Sequence, residues 1–269
     1  MPDLPGQAPH QRRDFAESFG VDPERYDRTR PTYPTTLVDA VMAASPEPVG
    51  RVRTVLDVGI GTGLSARPFR DAGCTVLGID ADERMAQAAR RRGFEVEVSR
   101  FEQWDPAGRM FDIVIAGQSW HWIDPLAGAF QAARVVRPGG LVAIFCNAGD
   151  PDPEIAAAFA QIYHDADTGL PFTPFTSAAT QGYISLGDSF CDALRTTGAF
   201  TEPRRWRSTW DTTMTRDAWL DQVPSTGSSH QIPPQALTQI LAAMAATIDA
   251  LGGSFTMHYT TLATLAHRI

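Results

Sequence analysis

The segment Val55-Leu-Asp-Val-Gly-Ile-Gly-Thr-Gly63 places one carboxylate and three glycines at the end of an apolar run. A strand that ends in glycines and reopens as a helix brings backbone N–H groups and a helix N-terminus against a ligand. A second acid, Asp80, closes the next apolar run, Val76-Leu-Gly-Ile-Asp80. An acid about 20 residues past the glycines can accept both hydroxyls of an adenosine ribose; alternatively it N-caps the helix that follows. The glycine spacing, through Gly59, Gly61 and Gly63, is G-x-G-x-G, and Leu64 stands where a dinucleotide fingerprint needs its last glycine. Asp57 points the same way, because a carboxylate repels a pyrophosphate and attracts an ammonium group. The expected ligand carries an amine near the loop, which disfavours a nucleotide-dependent oxidoreductase.

A second stretch with chemical content is Gln118-Ser-Trp-His-Trp-Ile-Asp124. It follows a continuous apolar run, at the edge where doubly wound sheets bind ligands. Gln118 and His121 are its candidate catalytic residues. His121 either takes a proton from an acceptor hydroxyl or is a helix-start histidine bonded to the backbone. Trp120 and Trp122 either wall a pocket for a cation or acceptor, or divide between core and surface. Phe172, Phe175 and Tyr183, in an aromatic-rich stretch over 170–190, read as a lid over a partly apolar substrate or as plain packing. No metal site is expected: His164-Asp-Ala-Asp167 diverges around a helix, and Cys146 and Asn147 stand where a cation-binding carboxylate would be needed.

These residues need rigid elements to hold them, and the chain has the means. It has 269 residues, 43% apolar, with a net charge of −8, a globular composition. That acidity argues against nucleic acid or an anionic membrane as the main partner. All 23 basic residues are Arg, so mechanisms that need a Schiff-base or P-loop lysine are excluded. Three cysteines and no apolar leader fit a reduced, cytoplasmic setting. Residues 1–13 read as a disordered tail, followed by a short helix near Phe15–Phe19 and another from Pro34 to Ala44. From Arg51, apolar runs alternate with helical stretches, with strands at 54–58, 75–79, 95–99, 111–116 and 141–146. Helices are expected over 64–72, 83–92 and 126–136. This alternation predicts a doubly wound, mostly parallel sheet. Beyond Asp150 the reading is helices at 154–167, 188–198, 216–223 and 234–251, a strand at 202–210, and an antiparallel edge strand at 254–267. The resulting domain scheme is a tail (1–13), an N-terminal helical cap segment (14–50), a core (51–150), and a lid with C-terminal strands completing the sheet (151–269).

Residues 54–146 resemble the class I S-adenosylmethionine (AdoMet)-dependent methyltransferases. Gly117-Gln-Ser-Trp-His-Trp-Ile-Asp124, Phe101-Glu-Gln-Trp104 and Tyr26…Arg30-Pro-Thr-Tyr-Pro34 resemble its small-metabolite, trans-aconitate-type branch. The resemblance implies a seven-stranded Rossmann-like methyltransferase fold with a helical cap. It also implies methyl transfer to a small-molecule acceptor, here expected at oxygen, with S-adenosylhomocysteine (AdoHcy) as product. Methylation at nitrogen, sulfur or carbon, or a silent binding protein on the same fold, are the alternatives. By this resemblance Gly59, Gly61 and Gly63 line the methionine part, Asp57 faces its ammonium group and Asp80 holds the ribose. Ala81 and Asp82 flank the adenine, Phe101 and Glu102 reach its edge, and Gln118 borders the cofactor. Tyr26 and Arg30 close over the cofactor, Arg30 through the methionine carboxylate or as a structural arginine. A homodimer is common for such folds.

Overall fold

From Thr54 to the fifth strand most apolar runs are followed by a helix that returns the chain to the same edge, so these strands lie parallel. The computed structural model describes residues 9–11 and 18–269. Its seven strands are β1 (Thr54–Val58), β2 (Thr75–Asp80), β3 (Glu95–Val98), β4 (Phe111–Gly117), β5 (Val136–Pro151), β6 (Arg204–Thr215) and β7 (Ser254–His267). They form one mixed sheet in the order β3-β2-β1-β4-β5-β7-β6. Parallel register joins β3, β2, β1, β4 and β5, with Val55 opposite both Val76 and Ile113, and a register shift where the Arg137-Pro-Gly-Gly140 turn enters β5.

Among the described residues the α-helices are α1 (Pro23–Thr29), α2 (Thr35–Ala44), α3 (Arg67–Asp71), α4 (Glu83–Arg91), α5 (Pro125–Val135), α6 (Pro153–Asp165), α7 (Ala179–Thr196), α8 (Arg216–Gln222) and α9 (Pro234–Ala250). None is long and apolar enough to cross a membrane. Cys74, Cys146 and Cys191 are unbridged thiols.

The chain divides into two compact units that interleave along the sequence. One contains 31–147, 184–208 and 261–269, and therefore β1 to β4 and most of β5. Period-two alternation sorts its strand residues into two apolar clusters: Leu56, Val58, Val114 and Ala116 in one, Val55, Ile113 and Ile115 in the other. The other unit holds the described residues up to Arg30, with 148–183 and 209–260. It has its own aromatic core, in which Phe159 stacks on Trp219 at 5.6 Å and meets Phe175 and Phe255 edge-on.

Several expectations shift. The tail over 1–13 and the helix near Phe15–Phe19 lie mostly outside the described residues, of which Pro9–Gln11 form a single 3-10 turn. The helix expected from Leu64 begins at Arg67, because the glycine loop continues as turns. The helix expected from Asp188 begins at Ala179. Its first amides are capped by Asp150, which accepts from Ala179 N and Thr180 N, a cap too distant in sequence to be read locally. The strand over Ser254–His267 is interior, between β5 and β7's other neighbour β6, and the edge belongs to β6. Helix α1, capped by Asp22 with Pro23 in its first turn, had not been expected.

Candidate functional site

β1 ends at Val58, and the chain must turn sharply where its carboxyl edge meets β2. Gly59 N and Ile60 N both donate to Ile79 O, at 2.8 and 3.0 Å. Gly59, Gly61 and Gly63 all have φ between +58° and +92°, the region in which only glycine is unstrained. At Gly59 a Cβ would also lie 2.5 Å from Ser119 Cβ, and at Gly63 2.5 Å from the Phe94 ring. Gly61 is different: its missing Cβ faces only the Met85 methyl, at 3.5 Å. The turn is thus packed against protein on two glycines and more open at the third.

Asp80 organises this loop. Its Oδ2 accepts Gly61 N at 2.8 Å and its Oδ1 accepts Asp82 N at 2.9 Å. The capping alternative belongs to its neighbour, since Asp82 is the N-cap of α4 and accepts from Arg84 N. Burial raises the Asp80 carboxyl to about 6 despite those backbone donors.

Asp57 is 0% exposed. Ser65 donates its hydroxyl to Oδ2 at 2.6 Å, while Oδ1 has no hydrogen-bond partner among the described residues. Burial raises this carboxyl to about 7, the Ser65 bond offsets part of that, and the Asp80 charge adds to it. A buried carboxylate with one oxygen unsatisfied is costly unless a cation arrives. Asp57 therefore fits the ammonium group of AdoMet, and the open face at Gly61 and the acid at Asp80 fit its remaining parts.

The stretch after β4 forms a 3-10 turn, Trp120–Trp122. Gln118 enters it with φ +56°, and Gln118 Nε2 donates to Asn147 O at 3.1 Å. Ser119 donates to Val58 O at 2.5 Å, tying this turn to the end of β1. Trp120 is 1% exposed and packs on Phe101 at 5.9 Å, so it is a core residue and not a pocket wall. Trp122 is half-buried, with its ring 4.7 Å from that of His121. Burial pushes the His121 imidazole far below its ordinary range, to about 3, so it is neutral at pH 7. Phe101 is likewise core, leaving only its backbone for a ligand edge. Glu102 Oε1 accepts Asp124 N at 3.1 Å, ahead of α5. Ala81 is exposed beside Asp82.

Asp57, the three glycines, Asp80, Ala81, Phe101, Glu102, Gln118, Trp120, His121 and Trp122 all belong to the unit built on β1 to β5. Tyr26, Arg30, Phe172, Phe175 and Tyr183 belong to the other. There the Arg30 guanidinium lies over the Tyr26 ring at 5.0 Å and donates to Ser225 O at 2.6 Å. Phe175 packs against Phe159, Tyr163 and Trp219, the packing alternative for this residue, and Phe172 and Tyr183 are half-buried. Sequence reasoning missed Ser65, Ser119, Tyr33 and Asn147. For Ser65 the signal was a hydroxyl just past the glycine turn that follows Asp57; for the other three no local pattern exists, because their partners are distant.

Residues 56–144 match the family model for the methyltransferase domain. An uncharacterized methyltransferase of Mycobacterium tuberculosis is 28% identical over 232 residues, which is 86% of this chain and 85% of that protein. A malonyl-[acyl-carrier protein] O-methyltransferase of Enterobacter lignolyticus is 36% identical over 127 residues, 46% of this chain and 50% of that protein. Among solved structures, a protein of Anaeromyxobacter dehalogenans described as a type II methyltransferase superposes with a TM-score of 0.56 at 20% identity, over 88% of this chain and 97% of that one. Domain, relatives and fold agree with the glycine turn and its two acids: residues 56–144 are a methyltransferase domain, carried on a Rossmann-like methyltransferase fold.

Proposed function

We propose that the chain transfers the methyl group of AdoMet to a small-molecule acceptor, at oxygen. The observation that carries this is the buried, half-satisfied Asp57 carboxylate beneath an open glycine turn. Support for oxygen comes from relatives named as O-methyltransferases, one acting on malonyl-[acyl-carrier protein] and one in ubiquinone biosynthesis. When bound, AdoMet supplies an electrophilic methyl on a sulfonium sulfur. The chain's own residues then bind and orient. Asp57 neutralises the ammonium group, Asp80 accepts from the ribose diol, Gly61 leaves room for the methionine part, and the turn at Gln118 borders the sulfonium. Ala81 and the Phe101–Glu102 backbone flank the adenine.

His121 is neutral and so has a lone pair to offer, but an imidazole that binds its proton only near pH 3 is a weak base. Proximity and exclusion of water therefore supply most of the rate. The deciding experiment is transfer of isotope from methyl-labelled AdoMet into a fractionated extract of the native organism. One labelled small molecule, alkali-labile or ether-linked as oxygen methylation requires, is expected; label on protein alone would refute the reading. Calorimetry with AdoHcy tests the site itself. Asp80→Ala is expected to weaken binding by about 1.5–3 kcal/mol, the worth of a hydrogen bond to a charged group. Unchanged affinity would remove Asp80 from the site.

A further inference from the structure

Asn147, near the end of β5, is only 5% exposed and is gripped from three directions. Thr261 on β7 donates its hydroxyl to Asn147 Oδ1 at 2.7 Å, and Asn147 Nδ2 donates to Thr32 O at 3.1 Å. Its backbone carbonyl accepts Gln118 Nε2. Because Thr32 O can only accept, the sense of the Asn147 amide is fixed. The same logic fixes the Gln118 amide, whose nitrogen must face the Asn147 carbonyl.

Two groups are delivered to the end of β4 by this grip. The first is Tyr33, next to Thr32. Its ring meets Phe145 edge-on at 4.8 Å, and its hydroxyl lies 2.9 Å from where a Cβ on Gly117 would stand. Ser65 Cβ is 2.7 Å from that same point, and Ser65 donates to Asp57. The second is Gln118, whose left-handed backbone is a conformation that a non-glycine residue keeps only when its surroundings impose it. Those surroundings are Phe145 O, which accepts Gln118 N at 2.9 Å, and the Asn147 carbonyl.

We propose that Asn147 is a positioning residue for methyl transfer, holding the Tyr33 hydroxyl and the Gln118 amide at the end of β4 beside the Ser65–Asp57 pair. The proposal rests on the AdoMet reading above for its function, but its geometry can be tested without a ligand. Asn147→Asp keeps the bond from Thr261 and turns a second oxygen towards Thr32 O, which is repulsive unless that oxygen is protonated. The variant therefore has a pH dependence that a simple loss of packing would not produce.

Two quantities are compared with wild type at pH 5 and pH 8. They are hydrogen exchange at Thr32, Tyr33 and Gln118 in the ligand-free chain, and the dissociation constant of AdoHcy. Taking the ratio to wild type at each pH removes the titration of Asp57 near 7, and the Cys146 thiol, raised by burial to about 12, stays neutral throughout. At pH 8 Asn147→Asp is expected to exchange these amides at least about tenfold faster and to bind AdoHcy about tenfold more weakly, as the loss of a buried bond implies. At pH 5 both gaps should close. Asn147→Ala, where it folds, should show the deficit at both pH values. Exchange and affinity equal to wild type at pH 8, or deficits that acid does not relieve in Asn147→Asp, would overturn the proposal. Failure of the wild type to bind AdoHcy would instead defeat the cofactor reading and leave the exchange result standing.

Discussion

Held in the fold without a cation, the Asp57 carboxyl gains its proton near pH 7 instead of near 4. Between those values the folded chain keeps a proton that the unfolded chain has released. Stability therefore falls as pH rises from about 4 to about 7 and is level above that. Asp57→Asn removes this slope. Urea melts should find the variant equal to wild type at pH 4 and more stable at pH 8, by on the order of 1–3 kcal/mol. AdoHcy affinity should fall at least about tenfold at pH 8, because the ammonium group loses its counter-charge. Equal stability at both pH values would mean that the carboxyl is not as isolated as its geometry indicates. Asp80, raised to about 6, leaves a smaller slope of the same sign in the variant. His121 makes the opposite case. Since its imidazole is neutral down to about pH 3, no acid limb near 6.5 should come from it. His121→Gln should keep labelled-methyl transfer within about tenfold of wild type, short of the hundredfold or more that a general base can contribute. A larger loss, with AdoHcy binding intact, would make it the base after all.

The two turns that flank α3 separate backbone strain from crowding. Gly59 and Gly73 both have positive φ, +71° and +88°, but a Cβ at Gly73 meets nothing within 4 Å while one at Gly59 meets Ser119. Gly73→Ala should cost about 1 kcal/mol, the strain alone. Gly59→Ala should cost at least about 2 kcal/mol more, from overpacking, and should shift the Trp120–Trp122 turn. Thermal melts with intrinsic tryptophan fluorescence check both, and equal costs would show that Ser119 yields freely. Elements of this kind were legible in the sequence because their causes are local. The glycine turn, the acids at the ends of β1 and β2 and the parallel alternation over 54–146 all follow from neighbours a few positions apart. What was not legible depends on partners far along the chain. Helix α7 starts where Asp150 caps it, β7 is interior because β6 lies beyond it, and Asn147 matters through Thr261. Trp120 and Trp122 could not be told apart either, since only packing on Phe101 assigns Trp120 to the core.

At the level of the whole chain, Gln118 follows β4 and Cys146 and Asn147 stand within β5 where a cation would need paired carboxylates, and among the described residues no group of three His, Cys, Asp or Glu could hold a metal ion. Dialysis against EDTA is therefore expected to leave both methyl transfer and the melting midpoint unchanged, and activity lost to EDTA but restored by magnesium would overturn this. The order of strands has a consequence for how the chain comes into being. Synthesis delivers β6 before β7, yet in the finished sheet β6 is separated from β5 by β7. A nascent chain that has emerged through Thr215 thus has an open hydrogen-bonding edge on β5 and a twelve-residue strand, Arg204–Thr215, with no neighbour to pair with. Such edges invite wrong pairing with other chains. The ribosome must add about fifty more residues, through His267, before both are covered. During that interval the protein depends on delayed collapse, or on a chaperone, to keep the place for its last strand vacant.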